Sequence, residues 1–207
     1  MFSVLKRVPL SLLCTFFLLQ PLAASASLII NEIMYDPDQV SDSLGEWFEI
    51  YNPGGVAIDL NGYSVADALN STTIAASLMI PSGGFLVFGR STDMANNGGV
   101  AVAYTFSFSL NNSGLETLSL TAPDSTTVDS VTYGSSAGFP DPVGASICFS
   151  GVGDNNDGSN WVSAETIGAT YGDGDFGTPG AANFAAVPEP ASLLLMGTGL
   201  LGLLKKR

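Results

Sequence analysis

The sequence predicts an all-β protein, an antiparallel β-sandwich, and three observations carry that prediction. Short apolar runs alternate with turn-forming clusters along the whole central region, which is the pattern of many short strands. No stretch there keeps a 3.6-residue apolar period long enough for a helix. The chain also holds 24 Gly and 11 Pro while only 12% of its residues are charged, a composition suited to tight turns between half-buried strands.

Taken in order, the runs Leu28–Met34, Glu46–Tyr51, Val56–Leu60, Gly62–Ala66, Leu78–Ile80, Phe85–Phe88, Val100–Phe108, Leu115–Leu120 and Thr126–Tyr133 read as strands. The clusters Asn52-Pro53-Gly54-Gly55, Asn61-Gly62, Pro81-Ser82-Gly83-Gly84, Asn111-Asn112-Ser113-Gly114 and Ala122-Pro123-Asp124-Ser125 separate them. They supply the fixed φ of proline and the positive φ that glycine and asparagine tolerate. In Thr126–Tyr133, Val128 is out of phase with Val131 and Tyr133, so either both faces are covered or a bulge shifts the alternation. From Gly134 to Phe184 the chain is rich in Gly, Asp and Asn, with scattered anchors at Phe139, Ile147, Phe149, Trp161, Ile167, Tyr171 and Phe176. It reads as a loop-rich last third packed onto the sandwich.

The two ends read as addresses. Residues 1–26 form a signal peptide: Lys6 and Arg7, an apolar run from Val8 to Leu19, Pro21, and small residues at Ala24-Ser25-Ala26, with Ser27 first after cleavage. Cys14 leaves with it, so Cys148 has no internal disulfide partner and reads as a small buried hydrophobe. Residues 185–207 carry Val187-Pro188-Glu189-Pro190, the apolar run Ala191–Leu204, and Lys205-Lys206-Arg207. Fourteen helical residues reach only about 21 Å against a hydrocarbon core of roughly 30 Å, which suits a transient membrane hold. This order of motif, apolar run and basic cluster resembles the PEP-CTERM sorting signal of Gram-negative bacteria. The resemblance implies an exosortase-type processing enzyme as partner, transient membrane contact, and delivery to the cell surface or extracellular matrix.

Between these addresses lies a domain of residues 27–184. From Ser27 to Val187 there are 18 acidic residues (19 in the chain, less Glu189) against the single basic Arg90, a net of −17. Such a surface repels nucleic acid and favours cations or neutral polymers. The chain has no histidine, and this region has no lysine. Histidine-based nucleophilic catalysis, histidine-ligated zinc or iron, and lysine Schiff bases are therefore excluded.

Carboxylate chemistry remains. Glu32, Glu46 and Glu49 are the nearest grouping on the first two strands, and a glycosidase needs two carboxyl groups about 5–9 Å apart. Glu46 and Glu49 are three apart on a strand and so face opposite ways. The structural alternative has Glu32 and Glu49 accepting backbone or Asn52 hydrogen bonds. Arg90 reads as half of an ion pair, and Trp47 and Trp161 as core residues or a sugar-stacking platform. Asp154-Asn155-Asn156-Asp157-Gly158, with Glu165 following, has oxygen ligands at calcium-like spacing but misplaces the EF-hand glycine. An irregular calcium site would use Asp154, Asn156 and Asp157 with Asp173 and Asp175; otherwise the stretch is a solvated turn.

Several blocks together resemble a lamin-tail domain: Leu28 to Pro37, Glu46 to Pro53, Val56 to Tyr63, Pro81 to Phe88, Leu110 to Gly114, Val128 to Gly134 and Thr178 to Asn183. The resemblance implies an immunoglobulin-like β-sandwich found in nuclear lamins and in exported bacterial proteins. Relatives often place an arginine near Ala145-Ser146-Ile147-Cys148-Phe149; this chain has none there. The expected function is a non-catalytic surface or matrix module contacting extracellular polysaccharide or surface proteins. The alternatives are a carboxylate-based polysaccharide-active protein or a calcium-dependent adhesion module.

Overall fold

The computed structural model describes residues 28–184. The expected signal peptide with its cleavage residues Ala24, Ala26 and Ser27, and the tail with Val187, Pro188, Glu189 and Pro190, lie outside the described residues. Within them, twelve strands form two main sheets and a small ribbon. The strands are β1 (Ile29–Met34), β2 (Trp47–Tyr51), β3 (Ile58–Asp59), β4 (Ser64–Ala66), β5 (Ser71–Thr73) and β6 (Met79–Ile80). They continue with β7 (Phe85–Gly89), β8 (Tyr104–Thr105), β9 (Glu116–Thr121), β10 (Thr127–Tyr133), β11 (Ile147–Phe149) and β12 (Trp161–Ser163). The larger sheet runs β12-β11-β1-β2-β7-β8 and the smaller β10-β9-β4-β5, while β3 pairs with β6. All pairings are antiparallel except β7 with β8.

The sandwich follows from strand alternation. Ile30, Ile33, Phe48, Ile50 and Phe88 of the larger sheet meet Val65, Leu118, Leu120, Val131 and Tyr133 of the smaller in one buried cluster. The out-of-phase Val128 is explained by a register shift between Thr127 and Asp129. A second bulge lies in β1, where Ile30 opposes Ile50 but Glu32 opposes Glu49, leaving Asn31 as the extra residue. Asp129 reaches across from the smaller sheet, and its Oδ2 accepts from the Ile30 N–H at 2.6 Å.

The last third is more ordered than its composition suggests. It contributes β11 and β12, which extend the larger sheet beside β1. Both are three residues long and β11 is wholly buried, so neither shows the alternation that marks a strand in sequence. β5 is polar throughout and pairs at the edge of the smaller sheet. The expected strand Val100–Phe108 keeps its ladder only at Tyr104–Thr105. Its ends pack instead: Val100 joins Trp47, while Phe106 and Phe108 enter the main core.

The last third also covers the outer face of the larger sheet, making a third layer. Met34, Trp47, Val87 and Val100 cluster there with Tyr171, and Ala145, Cys148 and Ala164 with Ile167 and Phe176. Both phases of β2 are therefore buried: Phe48 inside the sandwich and Trp47 beneath the outer layer, where its Nε1 donates to Tyr171 OH at 3.0 Å. Trp161 packs between Phe139 and Phe149 with both ring centroids 5.6 Å away. Neither tryptophan offers a face to a sugar.

Because both faces of β2 are closed, Trp47→Ala and Phe48→Ala should each destabilise the fold by about 3–5 kcal/mol in urea titrations. An effect from Phe48→Ala alone would mean that the outer layer is not packed in solution.

Candidate functional site

Glu32 and Glu49 sit opposite one another on β1 and β2, facing the outer layer, and both are fully buried. The chain segment Thr178–Asn183 closes over them as a strap. Glu32 Oε1 accepts from Ser146 Oγ at 2.5 Å and from the Thr178 N–H at 2.8 Å. Glu49 Oε1 accepts from Asn31 Nδ2 at 2.9 Å, and its Oε2 accepts from the Gly180 N–H at 2.6 Å. Gly177 leads into the strap, and a Cβ there would stand 3.1 Å from both Glu32 Oε1 and the Trp47 ring. A side chain there would require these neighbours to give by a few tenths of an ångström.

The bulge residue Asn31 and the strap residue Asn183 lock this arrangement. Asn183 Nδ2 donates to the carbonyls of Asn31 and Phe149 at 2.9 and 3.0 Å, which fixes its Oδ1 as an acceptor. That Oδ1 receives Asn31 Nδ2 at 3.0 Å. Asn52, by contrast, does not serve the glutamates: its Nδ2 donates to the carbonyls of Val56, Ile80 and Pro81 and holds the turn after β2. The sequence names Glu32 and Glu49 but misses Asn31 and Thr178 as their partners and Asn183 as the residue that positions both. The one visible signal is Asn31-Glu32 interrupting an apolar run.

Burial raises the pKa of Glu32. Burial, with the neighbouring Glu32 charge, pushes Glu49 up to about 8. Two carboxyls this close titrate as a unit that retains a proton through neutral pH. Hydrogen bonding decides where it sits. Thr178 Oγ1 lies 2.7 Å from Glu32 Oε2 and 3.2 Å from Asn183 Oδ1, and its single hydrogen serves only one of them. A proton on Glu32 Oε2 makes both contacts hydrogen bonds. Both oxygens of Glu49 face N–H donors, so the shared proton favours Glu32, and the rise to about 8 marks loss of the pair's proton rather than titration of Glu49 alone.

Glu46 faces the opposite way from Glu49 and binds Arg90 Nη1 at 3.0 Å. Its Oε2 also accepts from the Leu110 N–H at 3.1 Å. Arg90 further donates to Ser109 Oγ and Phe108 O and lies over the Phe106 ring. The one cation of the domain is thus a structural tie between β7 and the segment before β9.

The acidic loop is a self-bonded turn stitched to β10. Asp154 Oδ1 accepts from the Asn156 N–H, and Asp157 Oδ1 from the N–H and Oγ of Ser159. Asn156 exchanges hydrogen bonds with Ser130 O and the Thr132 N–H. Asn155 binds Ile30 O and Asp129 Oδ2, and its carbonyl receives Trp161 Nε1. Gly158 is required because a Cβ there would lie 2.4 Å from the Gly138 carbonyl carbon. Asp175 is used elsewhere, its carboxylate accepting from the Asp38 and Gln39 amides. The Asp173 N–H faces Gly98 O. No hydrogen bond among the described residues joins Asp173 or Asp175 to Asp154, Asn156 or Asp157, and no group of three or more Asp, Glu or Cys there is placed to hold a metal.

Beside the strap, Ile29, Tyr51, Pro53, Phe85, Phe149 and Phe184 line an open groove of about 410 Å³. Tyr51 and Phe85 stack at 4.6 Å between ring centroids. No charged residue lines it.

The proton held by Glu32 and Glu49 sets a pH dependence. Their folded-state pKa values are raised, so this contribution to stability is complete below about pH 4.5 and is lost as pH rises through about 8. Glu46, raised to about 7 by burial, adds a slope of the same sign. Melting temperature should therefore fall between pH 5 and pH 8. Glu32→Gln, whose amide can donate to Thr178 Oγ1, should flatten that fall without loss of stability at pH 8. Glu49→Gln should destabilise by about 1–3 kcal/mol throughout, because its amide faces donors. Equal behaviour of the two variants would contradict the proton assignment.

Comparison with known families agrees with this architecture. The sequence model of the Lamin Tail Domain matches residues 21–135, more than half of the 207-residue chain. The PEP-CTERM protein-sorting motif matches residues 186–207. A search of curated proteins finds no match. The first match ends at Ser135, so β11, β12 and the strap lie beyond it. The second supports export, processing by exosortase at the membrane, and a surface or extracellular destination. With its immunoglobulin-like sandwich, the chain belongs to the lamin tail domain family and carries a PEP-CTERM sorting signal.

Proposed function

We propose that this protein is a non-catalytic structural or binding module, residues 27–184, delivered by exosortase processing to the surface or extracellular polymer matrix of a Gram-negative bacterium. The carrying observation is the sorting motif at residues 186–207, directly after the sandwich. The state of the carboxylates supports the non-catalytic part. Glu32 and Glu49 are close enough to suggest a glycosidase pair, yet both are fully buried and roofed by Thr178 and Gly180. A sugar ring has no route between them. Glu46 is committed to Arg90 and the Leu110 amide. The acidic, lysine-free surface favours neutral polysaccharide or surface-protein partners over nucleic acid.

Processing should remove the tail in the native host. Intact-mass analysis should find a protein lacking Lys205, Lys206 and Arg207, and replacing Pro188-Glu189-Pro190 with alanines should block sorting. A C-terminus still at Arg207 contradicts the proposal.

The acidic loop is proposed as a structural turn, since its oxygens already bond neighbouring amides. Calcium and magnesium at fixed ionic strength should then raise the melting temperature equally, through screening alone. A larger rise with calcium, lost on Asp154→Ala with Asp157→Ala, would instead establish a calcium site.

A further inference from the structure

The groove beside the strap lies where the described chain leaves the domain. Asn183 is anchored by two buried hydrogen bonds, and the next residue, Phe184, forms part of the groove wall. The six residues that follow are Ala185-Ala186-Val187-Pro188-Glu189-Pro190. At about 3.1 Å per residue in a polyproline geometry they span roughly 19 Å, so the sorting motif stays within reach of the groove on which its chain emerges. The lining is matched to such a segment. Tyr51 and Phe85 present a stacked aromatic pair, Ile29 and Phe149 add apolar lining, and no charge interrupts it. Proline-rich segments dock on aromatic-lined grooves because their extended conformation loses little entropy on binding. Tethering through Asn183 makes the contact intramolecular and raises its effective concentration.

We propose that this groove is the seat of the chain's own segment Ala185–Pro190, with Val187 and Pro188 against Tyr51 and Phe85. The domain then does more than carry the sorting motif: it holds the motif against its surface.

The test uses the full chain in neutral detergent, with the photoreactive residue benzoylphenylalanine in place of Val187. Mass spectrometry should locate the crosslinks within the same chain, on the groove wall around Tyr51, Pro53, Phe85 and Phe149. Two rim substitutions leave the core intact, because Ser150 and Pro53 are exposed. Ser150→Trp fills the groove, and Pro53→Asp places a negative charge at its edge near Glu189. Each should lower the groove crosslinks about tenfold, the loss expected when a tethered contact of modest affinity is abolished, with the melting temperature unchanged. Crosslinks scattered over the surface, crosslinks joining two copies, or groove crosslinks unaffected by both substitutions would each overturn the proposal.

Discussion

The arrangement of this molecule depends on how it satisfies two carboxyl groups buried side by side in a domain with one cation. Arg90 is taken by Glu46 on the other face of β2, so Glu32 and Glu49 have no counter-charge among the described residues. Burying them requires hydrogen-bond donors: the strap amides of Thr178 and Gly180, Ser146 Oγ, and Asn31 Nδ2, which Asn183 Oδ1 holds in place by accepting from it. An isolated buried carboxylate is costly, and two adjacent ones are costlier. Retaining a proton between them removes most of that repulsion. The strap is consequently part of the fold, and with it the outer layer that covers Trp47 and Cys148.

This explains why an exported protein with no disulfide among the described residues can present such long stretches of polar loop. The last third has few apolar anchors, but it is tied to interior strands of the larger sheet and to the edge of the smaller one. Asn155 and Asn156 bind it to β1 and β10, and Asn183 binds it to β1 and β11. Asparagine suits these positions because one amide supplies donors and an acceptor without charge. Asn155 and Asn156 of the acidic loop take part in this stitching.

The sandwich was legible in the sequence where its inner face obeys the two-residue period, as at Phe48 and Ile50 or Val131 and Tyr133. In β1 the bulge at Asn31 sets Ile30 and Ile33 three apart, and in β10 the out-of-phase Val128 leaves a bulge as one of two readings. The outer layer was not legible. Trp47 and Phe48 are both buried, so β2 shows no polar face to mark its orientation, and β11 is buried throughout. The glutamates could be named but not interpreted, since their partners lie 131 and 146 residues away in the chain. Spacing along the sequence carries no trace of a contact made by backbone amides. The exit groove was invisible for the same reason: Ile29, Tyr51, Phe85 and Phe149 come from four strands that only the sheet order brings together.

A sandwich hosts many functions, so what this one does is decided by its sites. Here the carboxylates nearest to a catalytic arrangement are the ones that close the domain. The most direct measurement of that claim is the titration of the Glu32 and Glu49 side-chain carboxyl carbons by NMR. One proton should remain on the pair at neutral pH, held by Glu32, and should leave only well above the ordinary carboxylate range. Independent titration of both groups near the ordinary 4.5 would contradict the account, since it would place them in water rather than beneath the strap.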